Sequence, residues 1–192
     1  MALTLIRHAE SESNAGLPTT DPASIALTEN GRLQAVDFAE KITQQPDLVI
    51  VTSYLRTSQT ALPLVNRFIG TKVETWPLHE FTYLSPAKCR NTTAAERAPL
   101  VVKYWEKCDP YLVHGTGAES YEQFSVRIIN CIRKLRNLRN QTVCIFTHGQ
   151  VIRFFKQYHE EGILPLPFSM RRFRDSMLHF PVPNLSAHEF DF

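Results

Sequence analysis

The chain has 192 residues, of which 43% are hydrophobic and 21% charged, with a formal net charge of +2 at pH 7. These values are near globular averages and suit a single domain spanning residues 1–192, long enough to bury a large core. So mild a charge balance argues against nucleic acid or an anionic membrane surface as partner, and no apolar run approaches the ~20 residues needed to cross a bilayer.

In chain order, Leu3 to Ile6 is a short apolar strand that ends abruptly in Arg7-His8. Ser11 to Ala26 is a polar loop containing Pro18 and Pro22, and helical periodicity then runs from about Glu29 to Thr43, with Leu33, Val36 and Ile42 on one side. A second strand, Leu48 to Thr52, precedes Ser53 to Ala61, with Arg56 just past its end, and a helix continues through Leu62 and Val65 to Ile69. Lys72 to Trp76 reads as a short strand leading to Glu80. Residues 81–117, with Pro86, Pro99 and Pro110, fit an alternating plan least well; a Thr92-Thr93 pair there can cap a helix around Glu96 to Lys107.

Tyr121, Phe124, Ile128, Ile132 and Leu135 recur at spacings of three and four, the clearest amphipathic helix in the chain. Arg133, Lys134, Arg136 and Arg139 are expected on its solvated face. Thr142 to Phe146 is a third buried strand, and it runs straight into Thr147-His148-Gly149-Gln150. A helix from Val151 to Tyr158 begins directly behind, so its first amides are suited to an anion. Ser176 to Phe180 and Ser186 to Phe190 read as late strands. Alternating strands and helices predict an α/β fold: a three-layer, doubly wound, mostly parallel sheet with helices on both faces.

Cys89, Cys108, Cys131 and Cys144 lack the C-x-x-C spacing of a zinc site, and no carboxylate or histidine cluster has metal-ligand spacing. No metal and no cofactor are therefore expected. The first strand begins at residue 2 or 3, which leaves no room for a signal peptide, and a reducing cytoplasm is the expected location.

Three hydrophobic strands thus each terminate in a cation or an imidazole: Arg7-His8, Arg56 and His148. In open α/β sheets ligands bind outside the carboxyl ends of the strands. Two arginines and two histidines delivered there suit a phosphate monoester, which carries about −1.5 to −2 charge at neutral pH. A histidine beside an arginine can attack the phosphorus that the arginine holds.

The order of these blocks resembles the histidine phosphatase superfamily, the branch that includes cofactor-dependent phosphoglycerate mutases and acid-pH phosphatases. Arg7-His8-Ala9-Glu10 with Asn14 is similar to the family's opening Arg-His-Gly-Glu and its following Asn. Leu27-Thr28 through Gly31 to Gln34-Ala35 resembles its Leu-Thr-x-x-Gly-x-x-Gln-Ala block. Ser53 to Ala61 resembles the Ser-x-Leu-x-Arg-x-x-Gln-Thr-Ala block, with Leu55 here directly followed by Arg56. Leu78-His79-Glu80 falls where the family places its acidic residue, and Thr147-His148-Gly149 matches the closing Ser/Thr-His-Gly. Ala9 in place of Gly and the Phe81-Thr-Tyr-Leu84 run after Glu80 depart from the pattern.

The resemblance implies a metal-independent phosphatase acting through phosphohistidine on His8, with Glu80 as proton donor and Arg7, Asn14, Arg56 and His148 binding phosphate. It also implies that the insertion at about 81–117 is a lid over the pocket. A sugar phosphate, a nucleotide, a phospholipid headgroup or a phosphoprotein would each satisfy such an anion site. A phosphoglycerate mutase and a non-catalytic phospho-ligand binding module are the alternatives. If Glu80 is not the donor, Glu119, at the start of the amphipathic helix, is the next candidate.

Overall fold

The computed structural model describes residues 2–138 and 141–191, so Arg139 lies outside the described residues. Five strands, β1 (Ala2–Arg7), β2 (Leu48–Val51), β3 (Lys72–Thr75), β4 (Thr142–Thr147) and β5 (Ala187–Phe190), form one sheet in the order β3-β2-β4-β1-β5. The first four are parallel, and β5 closes the β1 edge antiparallel.

Side chains alternate across the sheet, as the two-residue period of a strand requires. Leu3, Leu5, Leu48, Ile50, Val143 and Ile145 face one core, built with α5 (Tyr121–Leu135), α6 (Gly149–Glu161) and α7 (Leu166–His179). Ile6, Val49, Val51, Cys144 and Phe146 face the other, against α1 (Glu29–Lys41) and α2 (Leu55–Arg67). The three-layer α/β sandwich expected from the sequence is the fold observed. The larger core is aromatic: Phe81 stacks on Phe124 at 4.7 Å, and Tyr104, Trp105, Tyr121, Phe154 and Phe173 surround them. Two short helices, α3 (Pro86–Cys89) and α4 (Ala94–Lys107), lie in the segment that follows Glu80.

The amphipathic helix is as its spacing predicts. Ser120 caps it through a reciprocal pair with Gln123, and Tyr121, Phe124, Ile128, Ile132 and Leu135 are fully buried. Thr93 caps α4 in the same way with Glu96.

Two local expectations are corrected. Helix α1 does not bury Leu33 and Val36, which are 62% and 44% exposed; it buries Gly31, Ala35 and Ala39. The helical period is right, but residue size sets the phase. A Cβ on Gly31 would stand 2.0 Å from the carbonyl oxygen of Glu10, so only a bare backbone lets the helix approach the loop after β1.

Ser176 to Phe180 is no strand, because residues up to His179 complete α7. Pro165 at the N-cap and Pro167 in the first turn start that helix rather than break the chain, and Ser169, Met170 and Phe173 form its buried side. A short apolar run does not by itself distinguish the two periods. The second late strand is β5.

Candidate active site

Strand register brings the site together. Arg7 pairs with Thr147, so His8 and His148 lie at the next step past the ends of the two central strands, and the His8 N–H donates to Thr147 O at 2.9 Å. The third contribution comes from the turn between β2 and α2, where Tyr54, extended, precedes the first helical residue, Leu55. Thr52, Tyr54 and Arg56 are buried there, while Ser53 and Leu55 are exposed.

Arg56 sits at the centre, 6% exposed. Its three guanidinium nitrogens reach three different acceptors: Nε to His8 Nε2 at 3.1 Å, Nη2 to His148 Nδ1 at 3.1 Å, and Nη1 to Pro22 O at 2.8 Å. The guanidinium also lies 4.9 Å from the Tyr54 ring centroid. Because an arginine only donates, both imidazole nitrogens facing it must be lone-pair acceptors.

That fixes both tautomers. His8 carries its proton on Nδ1 and donates it to Ala9 O at 2.7 Å, leaving the Nε2 lone pair toward the arginine. His148 carries its proton on Nε2, 3.1 Å from the Thr52 hydroxyl. Burial, reinforced by the Arg56 charge, holds both imidazoles well below their usual pKa and therefore neutral. Burial likewise lowers Arg56, to about 10.

Arg7 donates from Nη1 to Val182 O, while its Nε is buried and has no hydrogen-bond partner among the described residues. This orphaned donor stands close to the start of α6, since a Cβ on Gly149 would be 3.8 Å from it. Such a buried donor calls for an acceptor, and an anion would supply one.

Glu80 lies within the same field. Its Oε1 accepts from the N–H of Gln150 at 3.1 Å and more weakly from that of Phe81 at 3.4 Å. The acceptor at the N-terminus of α6 in this structure is thus the protein's own carboxyl group. Burial raises the Glu80 pKa, against the opposing pull of Arg56, Arg7 and the two N–H groups.

The segment bearing Glu80 is braced from three sides. Arg127 donates to Pro77 O at 2.7 Å and His79 O at 3.1 Å, Glu119 accepts from the Thr82 N–H at 3.2 Å, and the Thr147 hydroxyl donates to Leu78 O at 2.7 Å. Glu119 is itself committed to an ion pair with Arg127 at 2.5 Å, which makes it a brace for this segment rather than a free acid.

Of the six residues singled out from sequence, Arg7, His8, Arg56, Glu80 and His148 therefore share one electrostatic cluster. Asn14 is exposed. Its Oδ1 accepts from the Ser11 N–H and hydroxyl and from Asn184 Nδ2, and that same Asn184 nitrogen donates to His8 O at 2.7 Å.

Sequence reasoning missed Asn184, Thr52 and Arg153. Asn184 comes from a distant loop with no motif. Thr52 passes as the last residue of a strand, although a polar residue at the end of a buried apolar run is itself a signal. Arg153 is one helical turn from Gly149. It donates from Nε to Phe180 O at 3.0 Å and interacts electrostatically with Glu80 and Arg7. Ala9, where glycine was expected, is fully buried and is not among the positive-φ residues, so the substitution costs no strain.

Chemically, the arrangement offers an unprotonated imidazole nitrogen, two arginines around it and a carboxyl group biased toward its neutral form. No group of three or more histidine, cysteine or acidic side chains positioned for a metal occurs among the described residues. No described helix is long and apolar enough to cross a membrane.

The chain is 27% identical over 165 residues to a 2,3-bisphosphoglycerate-dependent phosphoglycerate mutase of Rhizobium etli, covering 81% of this chain and 78% of the relative. Its fold is similar to that of the alpha-ribazole phosphatase of Shigella flexneri, with a TM-score of 0.75 at 22% identity over 100% of this chain and 90% of the other. It is similar also to the phosphoserine phosphatase of Entamoeba histolytica in complex with 3-phosphoglyceric acid, with a TM-score of 0.73 at 22% identity over the same shares. The family model of the histidine phosphatase superfamily, branch 1, matches residues 3–171, and together with the two histidines and the arginine between them this places the chain in that superfamily.

Proposed function

We propose that the protein hydrolyses phosphate monoesters through a phosphohistidine on His8, without a metal ion. Membership of the histidine phosphatase superfamily supports a phosphomonoesterase. The observation that carries the mechanism is the pair of hydrogen bonds that Arg56 donates, from Nε to His8 Nε2 and from Nη2 to His148 Nδ1. It leaves the His8 Nε2 lone pair unprotonated beside a cation, at the place where a phosphate exchanging for the imidazoles on Arg56 would lie.

In the first step the Nε2 lone pair forms the N–P bond as the ester P–O bond breaks. The neutral carboxyl of Glu80 gives its proton to the leaving oxygen. The Nδ1–H bond to Ala9 O stabilises the positive charge that develops on the ring. In the second step water attacks phosphorus, the P–N bond breaks, and the Glu80 carboxylate takes the water's proton. Arg7 and Arg56 supply charge to the phosphoryl oxygens and Asn14 a further hydrogen bond, while His148 donates from Nδ1 once the bound dianion replaces it on Arg56 and gives it a proton there; positioning with charge is most of what this chemistry asks of a protein. Residues 81–117 serve as a lid, since α3, α4 and the run from Phe81 to Leu84 wall the space next to Arg56 and Glu80.

The mutase relative supports a second reading, in which the phosphoenzyme waits for a phosphoglycerate acceptor. The largely apolar lining beside Glu80, with Arg97 its one cation besides Arg56 among the described residues, favours hydrolysis over the handling of a bisphosphorylated intermediate.

Rapid mixing with substrate and an alkaline quench should leave acid-labile phosphate on His8. His8→Ala should lose turnover while keeping its fold by circular dichroism. Label on any other residue would refute the proposal, and preferential transfer to monophosphoglycerate over water would select the mutase.

A further inference from the structure

A cavity of about 280 Å³ opens beside Arg56 and Glu80. It is near the lower end of the ~300–1,000 Å³ seen for small-molecule sites, so it suits a compact ligand. Arg56 and Glu80 in its lining belong to the proposed phosphate site, and Arg97 on α4 is the other cation of the lining. Much of the remaining wall is apolar or aromatic, with Tyr54, Phe81, Tyr83, Leu84 and Val101, and Thr19, Thr20 and Thr82 add hydroxyls.

Part of the wall polarity is already spent inside the protein. The Tyr54 and Thr82 hydroxyls bond each other at 2.7 Å, Thr82 also donates to Glu80 O at 3.3 Å, and Thr19 Oγ1 accepts from Arg97 at 3.3 Å, so what Tyr54 chiefly offers a ligand is its ring. A polyol would meet few further hydroxyls in the lining, those of Thr20 and Tyr83, and burying one of its own without a partner is costly. A flat apolar group is what such walls favour. Arg97 is held in place through Nη1, which donates to Thr92 O at 2.6 Å and to the hydroxyls of Thr92 and Thr19 at 3.2 and 3.3 Å. Anchoring through one nitrogen pre-organises a guanidinium for a carboxylate.

Resting on the reading of this site as a phosphatase, we infer that its substrates are compact phosphate monoesters with an aromatic or similarly flat apolar body and a carboxylate at the far end, bound by Arg97. The aromatic walls select against sugar and glycerol phosphates, and Arg97 selects among the apolar esters.

Binding of phosphonates that cannot be hydrolysed, measured by calorimetry on the full chain, tests this without leaving-group chemistry. The series is 2,3-dihydroxypropylphosphonate, benzylphosphonate and 4-carboxybenzylphosphonate. Burial of a phenyl-sized group is expected to tighten binding on the order of 10- to 100-fold over the dihydroxypropyl compound. The carboxylate should add roughly another 10-fold, as a charge-assisted hydrogen bond does. Leu84→Asn should collapse the first ratio, and Arg97→Gln the second. The wild-type ratios stand even if a variant fails to fold.

Equal affinity for all three compounds, with phosphate still trapped on His8, would overturn this inference alone. Tighter binding of the dihydroxypropyl compound would do the same. Failure of all three to bind, with no label on His8, would overturn the phosphatase reading as well.

Discussion

Glu80→Gln separates proton donation from everything else the carboxyl does. The amide keeps the side chain's size and an oxygen for the Gln150 and Phe81 N–H groups, at 3.1 and 3.4 Å in the native protein, but has no acidic proton. The loss should depend on the leaving group. An alkyl ester departs as an alkoxide about as basic as hydroxide, whereas a phenolate, with a conjugate-acid pKa of ~10, is a far weaker base and a nitrophenolate weaker still. General acid catalysis is typically worth ~10²–10⁴. Single-turnover transfer from an alkyl phosphate should therefore slow by about 10³-fold, and from nitrophenyl phosphate by less than about 10-fold.

Single-turnover rates in a quenched-flow instrument isolate this step from the later attack of water, where Glu80 acts as base. The pH dependence follows from the same group. Burial raises the Glu80 pKa and lowers that of His8, and both shifts favour the reactive forms, a protonated Glu80 and an unprotonated His8. For alkyl esters the rate should fall as pH rises through the Glu80 pKa, and this alkaline limb should vanish in Glu80→Gln. Equal slowing of both ester types, or a limb that survives, would refute Glu80 as donor.

Arg56→Lys should lower kcat by on the order of 10²-fold or more, because one ammonium cannot replace three guanidinium nitrogens that reach His8, His148 and Pro22; steady-state kinetics checks this. Activity in excess chelator should equal that in buffer, since the arginines and donors named here serve the dianion; restoration only by added magnesium would contradict it. Gly31→Ala should destabilise the fold by about 1–3 kcal/mol, a fall in Tm of roughly 2–12 °C, because the new Cβ would stand 2.0 Å from Glu10 O. The Glu80 carboxyl has a higher pKa folded than unfolded, so its ionisation penalises the fold above that pKa and is relieved as pH falls toward 4.5. The stability of Glu80→Gln relative to wild type, from urea unfolding, should accordingly be greatest at pH 8 and shrink toward pH 4.5.

Much of the site was legible in the chain because its residues follow strands. A buried parallel strand is a continuous apolar run, and a charged residue that ends it marks the end of the sheet where ligands bind. Arg7, His8 and His148 were readable for that reason, and Arg56 one step further on. The amphipathic helix at Tyr121–Leu135 was readable because its period and its capping residue agree. Tertiary structure alone decided what depends on approach and on register. The pairing of Arg7 with Thr147 levels the two histidines, and the position of Arg56 between them assigns their protons. Which face of α1 is buried was set by the clearance at Gly31, a distance that hydrophobic periodicity does not encode. Glu119 changed from candidate acid to brace because Arg127, eight residues on, turns back to pair with it and to hold the carbonyls before Glu80. Asn184 reaches His8 O across 176 positions of chain, and a contact of that kind exists only once the sheet has closed.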